Sequence, residues 1–195
     1  MTRPFRITQS TLSALGLATL LACSGGGGGG DNKPPPKTIA DTLVYTNPTG
    51  IYALVKNTTK STATHLVLDL VGPAGSVSGV GFYLTADQTK VTWTTVDSGD
   101  PEKVKSSTFA STIVKTKVSG DTLQAGIYQK GTTPAATTTT ATVLASVALD
   151  LKSNIPVNST VSLSAVSGKA LILNPPANST VTTGITVATG SVVAN

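Results

Sequence analysis

The stretch His65-Leu66-Val67-Leu68-Asp69-Leu70-Val71 decides the fold. Leu66, Leu68 and Leu70 recur at every second position. An extended strand turns all three to one face and leaves His65, Val67 and Asp69 on the other. The same period runs outward along the chain. Val80, Phe82 and Leu84 oppose Tyr83 and Thr85; Val91 pairs in phase with Trp93; Val143, Ala145, Val147 and Leu149 alternate, as do Val161, Leu163 and Ala165. No helical period appears. Turn-forming clusters separate the runs at Gly72-Pro73-Ala74-Gly75, Asp97-Ser98-Gly99-Asp100-Pro101, Ser119-Gly120-Asp121 and Asn174-Pro175-Pro176. Nine or ten short strands at this spacing predict an all-β antiparallel sandwich with Trp93 in its core.

Composition agrees. The chain has 195 residues and is rich in Thr, Val, Ser and Ala. Those residues favour pleated, half-buried surfaces over helices. The formal charge is +5, but the two arginines, Arg3 and Arg6, stand at the very start and the lysines are scattered. A nucleic-acid surface needs clustered cations and forked guanidinium donors, so nucleic acid is not an expected partner. No cofactor is expected either. With a single cysteine, Cys23, no disulfide can form within one chain, and stability must come from sheet packing.

The N-terminal region has a different character. Arg3 and Arg6 precede the apolar stretch Thr11–Leu21, and Leu20-Leu21-Ala22-Cys23 is followed by Ser24 and six glycines, Gly25–Gly30. The apolar stretch is too short to span a bilayer. The order of charge, short apolar segment and small residue is that of a secretory leader. Leu20–Cys23 resembles the lipobox of bacterial lipoproteins. That resemblance implies cleavage before Cys23, acylation of its thiol by fatty chains such as palmitate, and attachment to a membrane. Ser24, in place of aspartate, implies the outer membrane or cell surface. The expected organisation is a signal peptide over residues 1–22, a lipidated Cys23 with a flexible Gly/Pro linker over 23–37, and a β-sandwich over 38–195. Glycines make the linker flexible and Pro34-Pro35-Pro36 stiffens its far end. As a coil it reaches about 20 Å, enough to hold a body clear of headgroups. The glycine run is not a phosphate cradle, because no Gly-Lys-Ser or Gly-Lys-Thr follows it.

Candidate chemistry is sparse. His65 is the single histidine. A nucleophilic triad would have to use it, and Asp69 lies about 13 Å away along the same strand, too far to orient an imidazole. His65 is expected at an exposed strand start. Asp97, Asp100 and Glu102 form the one local concentration of acid and are a candidate Ca²⁺ loop, against the simpler reading of a solvated turn. Tyr83 and Tyr128 are candidate ligand contacts, since a sugar platform needs exposed rings on a flat face. Tyr45 and Tyr52 lie in other segments. The tract Thr132–Thr142 reads as a loop or a polar edge. Pro156-Val157-Asn158-Ser159-Thr160-Val161 is echoed by Pro176-Ala177-Asn178-Ser179-Thr180-Val181, as expected for a duplicated turn that opens a strand.

Ser78-Gly79-Val80-Gly81-Phe82-Tyr83-Leu84-Thr85-Ala86-Asp87, followed by Lys90-Val91, resembles the early strands of cohesin-like domains. Val143–Leu151 and Ser162–Val166 resemble that family's closing half. The likeness is colinear over about residues 40–190. It implies a nine-stranded jelly-roll β-sandwich, related in shape to carbohydrate-binding modules, and a non-catalytic role. The expectation is a membrane-anchored binding or scaffold module for an extracellular protein partner. The alternative is a module that binds polysaccharide.

Overall fold

The computed structural model describes residues 35–131, 135–175 and 180–195. The expected leader and Cys23 lie outside the described residues. Those described form seventeen strands and no helix: β1 (Leu43–Thr46), β2 (Tyr52–Lys56), β3 (His65–Gly72), β4 (Gly75–Val77), β5 (Gly79–Ala86), β6 (Val91–Thr94), β7 (Val104–Lys105), β8 (Thr112–Ser119), β9 (Thr122–Gln129), β10 (Ala136–Thr138), β11 (Thr142–Leu151), β12 (Ser159–Val161), β13 (Leu163–Ala165), β14 (Leu171–Asn174), β15 (Thr180–Thr183), β16 (Val187–Ala188) and β17 (Ser191–Ala194).

Two large sheets face each other across the core. The first runs β16-β2-β3-β11-β6, with β7 also on β11; the second runs β15-β14-β5-β9-β8, with β13 also on β5. The alternating residues meet between them. Leu66, Leu68, Leu70, Val147 and Leu149 from the first sheet join Val80, Phe82, Leu84, Leu123, Ile127 and Ile172 from the second in one buried cluster. Each such side chain contributes about 1.5–3 kcal/mol by leaving water. Trp93 is buried among them as expected, and its indole N–H donates to the Asp121 carbonyl at 3.1 Å. A three-stranded sheet, β1-β17-β12, adds Leu43, Val161, Val192 and Ala194 to the same core.

More strands form than the periodicity predicts, because one run is divided between two sheets and because short elements such as the two-residue β7 and β16 also pair. Val161 and Leu163 read as one alternation, yet β12 pairs with β17 and β13 pairs with β5, with Ser162 at the crossing. The corner Asp87–Lys90 likewise carries the chain from β5 in the second sheet to β6 in the first. Asp87 Oδ1 accepts the Thr89 N–H at 3.0 Å, and bonds from Lys90 and Thr89 side chains hold its carboxyl down to about 2. Among the described residues all strand pairings are antiparallel except one, in which the two-residue strand β16 runs parallel to β2. Part of the threonine tract does form an edge: Ala136–Thr138 pairs with β4. Of the duplicated turn, the strands that follow, β12 and β15, are described; Pro176–Ser179 lie outside the described residues.

Gly190 is fixed by close approach. A Cβ there would stand 1.8 Å from the Thr46 carbonyl oxygen, and the Gly190 N–H donates to the Tyr45 hydroxyl at 2.8 Å. Tyr45 in turn donates to the Leu54 carbonyl at 2.9 Å, and burial pushes its phenol above the ordinary value. One buried hydroxyl thereby ties β1, β2 and the entry to β17.

Candidate functional site

The outer faces of the two sheets differ. On the first sheet the outward residues of β3 and β11 are covered by the loop that follows β6. Val96 packs on Val67 and Ala148 as a small second cluster. Polar bonds surround that cluster. His65 Nδ1 lies 2.6 Å from Asp150 Oδ1, and His65 Nε2 lies 3.2 Å from the Val96 carbonyl. Asp69 accepts from Asn57 at 3.0 Å and from Ser146 at 2.6 Å. Asp97 meets both Lys105 and Lys60 at 2.7 Å, and Lys105 also reaches Asp100 at 3.0 Å. Bonds from Lys105, then Lys60, hold the Asp97 carboxyl down to about 2, and the bonds of Lys105 to Asp97 and then Asp100 raise its ammonium.

This arrangement revises the expectation of an exposed His65. His65 does begin a strand, but it is partly buried, with its ring nitrogens facing Asp150 and the Val96 carbonyl. Its acid is Asp150, which is directly opposite in the β3–β11 register, not Asp69. Both partners are acceptors, so a neutral ring donates to one of them at a time. The three loop acids do not converge: Asp97 and Asp100 share Lys105, while Glu102 accepts from Thr116 of β8. Among the described residues no group of three or more His, Cys, Asp or Glu side chains is placed to hold a metal ion.

The outer face of the second sheet is open. The register places Tyr83 opposite Gln124, Gly81 opposite Gly126 and Gly79 opposite Tyr128. These positions alternate with the buried Phe82, Leu84, Ala125 and Ile127, so all of them point outward. Lys115 lies beside Gly126, Lys117 beside Gln124, and Ile113 beside Tyr128. Leu171 and Leu173 of β14 lie beside Gly81 and Gly79. Tyr83 and Tyr128 therefore share one face, about 13 Å apart along the strands, with a saddle formed by Gly81 and Gly126 between them. Tyr83, Lys115, Lys117, Gln124 and Gly126 line a depression of about 260 Å³.

Gly126 is the telling position. Glycine inside a central strand weakens it and often marks the close approach of something else. A Cβ at Gly81 would touch Leu171 at 3.3 Å, whereas a Cβ at Gly126 would meet nothing within 4 Å, and its backbone needs no positive φ. The fold itself gives no reason for the missing side chain. The sequence reading singled out Tyr83 and Tyr128, which the register puts on this face, and passed over Gly81, Gly126, Lys115 and Lys117. A glycine inside an alternating run, as in Leu123-Gln124-Ala125-Gly126-Ile127, was the available signal.

No family model matches the chain, and no curated protein sequence matches it. Solved structures do share its fold. The sixth cohesin of scaffoldin B from Acetivibrio cellulolyticus, solved in complex with a Cel5 dockerin mutant, is 19% identical with a TM-score of 0.50, over 73% of this chain and 96% of that chain. The type II cohesin A11 from Bacteroides cellulosolvens is 13% identical with a TM-score of 0.50, over 74% of this chain and 98% of that one. The described body is a cohesin-like β-sandwich.

Proposed function

We propose that this chain is a non-catalytic binding module, held at a membrane by acylated Cys23, that docks a protein partner on the outer face of its second sheet. The open saddle at Gly126 carries the reading: it lies between two outward tyrosines and serves no packing need of the fold itself. The covered outer face of the first sheet supports the choice of side. The one histidine lies against Asp150 and the Val96 carbonyl on the covered face of the first sheet, away from the saddle, which supports a role in binding without turnover. One of the structures that share the fold was solved bound to a dockerin, in keeping with a protein partner here.

Gly126→Trp tests the face. A large ring there fills the saddle with no clash at Cβ, so the variant keeps its β spectrum and melts within a few degrees of the parent. Captured from extracellular extract, the partner is lost on Gly126→Trp and retained on Ser98→Trp, which alters the loop over the other sheet. Equal capture by both variants rejects the face.

Tyr83 and Tyr128 on one face favour a second reading, in which the face holds polysaccharide. A glycan panel discriminates: binding removed by Tyr83→Ala together with Tyr128→Ala assigns the face to sugar.

The anchor has its own test. Cys23→Ala moves the protein from the membrane to the soluble fraction, and continued membrane association excludes lipid at Cys23.

A further inference from the structure

We infer that the partner docking on the outer face of the second sheet presents carboxylates to Lys115 and Lys117 beside the apolar saddle, as an acidic protein segment would. This rests on the reading of that face as a docking surface and adds the chemistry of what it receives.

Charge is partitioned between the sheets. No Asp or Glu occurs in β5, β8, β9, β13, β14 or β15, and Lys115 and Lys117 are the only charged residues in those six strands. Both are exposed, and neither forms an ion pair among the described residues. Near the first sheet, by contrast, Lys60 is committed to Asp97 and Lys105 to Asp97 and Asp100. Glu102, which reaches β8, bonds to Thr116. Thr116 is paired with the buried Ala125, so that contact lies on the face opposite Lys115 and Lys117.

Lysines on an edge strand also discourage strand-to-strand aggregation, and that role alone would explain their exposure. It does not explain why they flank an empty saddle with Tyr83 beside it, nor why every acid is kept off the sheet. Two unpaired cations next to an apolar depression complement a partner that combines carboxylates with apolar side chains. An acidic polysaccharide offers carboxylates and the C–H faces of its rings, but not the aliphatic or aromatic side chains that would pack on Leu171 beside the saddle.

The test uses the full chain, ¹⁵N-labelled, titrated with a random copolymer of glutamate and tyrosine and, separately, with polygalacturonate. The copolymer is expected to shift amides of β8, β9 and β5 around Lys115, Gly126 and Tyr83. Its affinity is expected to fall about tenfold in Lys115→Glu/Lys117→Glu and to weaken as ionic strength rises from about 0.05 to about 0.5 M. Lys115→Gln/Lys117→Gln, which removes charge without reversing it, should fall between parent and reversal. Shifts scattered over other lysines, no binding by the copolymer, or affinity unmoved by reversal each overturn the inference. Selective, reversal-sensitive binding of polygalacturonate overturns it in favour of an acidic glycan. If Gly126→Trp abolishes binding while charge reversal does not, the face stands and the acidic partner falls. If reversal abolishes binding while Gly126→Trp leaves it intact, the cations stand and the saddle reading falls.

Discussion

Asp97 shows how one residue's chemistry depends on contacts that local sequence cannot display. Its neighbours in the chain, Asp100 and Glu102, give the impression of an acidic cluster. In the fold it is held by Lys105, eight residues on, and by Lys60, thirty-seven residues back. These bonds favour the carboxylate and lower its titration from 3.8 to about 2. A lowered carboxyl value in the folded chain means that the contact adds stability above the ordinary value, and that this contribution disappears as pH falls from there toward 2. Carboxyl NMR should show Asp97 titrating near 2, and Lys105→Met should move it part of the way back, since Lys60 remains. An unmoved Asp97 in that variant would mean that the Lys105 contact is not the cause. His65 illustrates the same limit. Its partner lies 85 residues away, and the sequence offered only Asp69, at the wrong spacing on the same strand.

Among elements, legibility followed the length of the alternating run. β3, β5 and β6 were readable because each repeats core-facing and outward residues over several positions, whereas β11 keeps that phase only from Ala145 onward, since a register shift between Val143 and Ala145 puts Val143 on the other face. Short elements were not readable. β16 has two residues and pairs in parallel, while β12 and β13 break one apparent run between two sheets. The loop after β6 was read correctly as a turn, but its covering role rests on Val96, whose contacts Val67 and Ala148 are remote in sequence. This gives the loop a testable energy. Val96→Ala removes the apolar groups that seat it, and should cost about 1–2 kcal/mol. The loss should be local: amide exchange over residues 95–100 should accelerate, while β5 and β9 keep their protection. Uniform acceleration throughout the body would show that Val96 supports the main core instead.

At the scale of the whole molecule, the sandwich is closed by its two ends. β17 lies between β1 and β12, with Leu43 opposite Ala194 on one side and Ser159 opposite Ala194 on the other. Periodicity marked neither β1 nor β17 as special, because pairing across the length of a chain leaves no local trace. Joining β1 to β17 closes a loop of nearly the whole body, at an entropic cost of about 4–5 kcal/mol, and such topologies fold in milliseconds to seconds. The C-terminal strand repays that cost through the fully buried Val192 and Ala194, its ladders on both sides, and the Asn195 carbonyl, which accepts from Asp41 and Thr42. Without β17, β1 and β12 have no common neighbour, and Leu43 and Val161 are uncovered together. A domain stable by about 5–15 kcal/mol cannot absorb those losses. Ending the chain at Gly190 should therefore abolish cooperative thermal unfolding and collapse the amide dispersion, even though both large sheets keep every residue. A shortened chain that still melts in one sharp transition near the parent's midpoint would show that the two large sheets hold the core unaided.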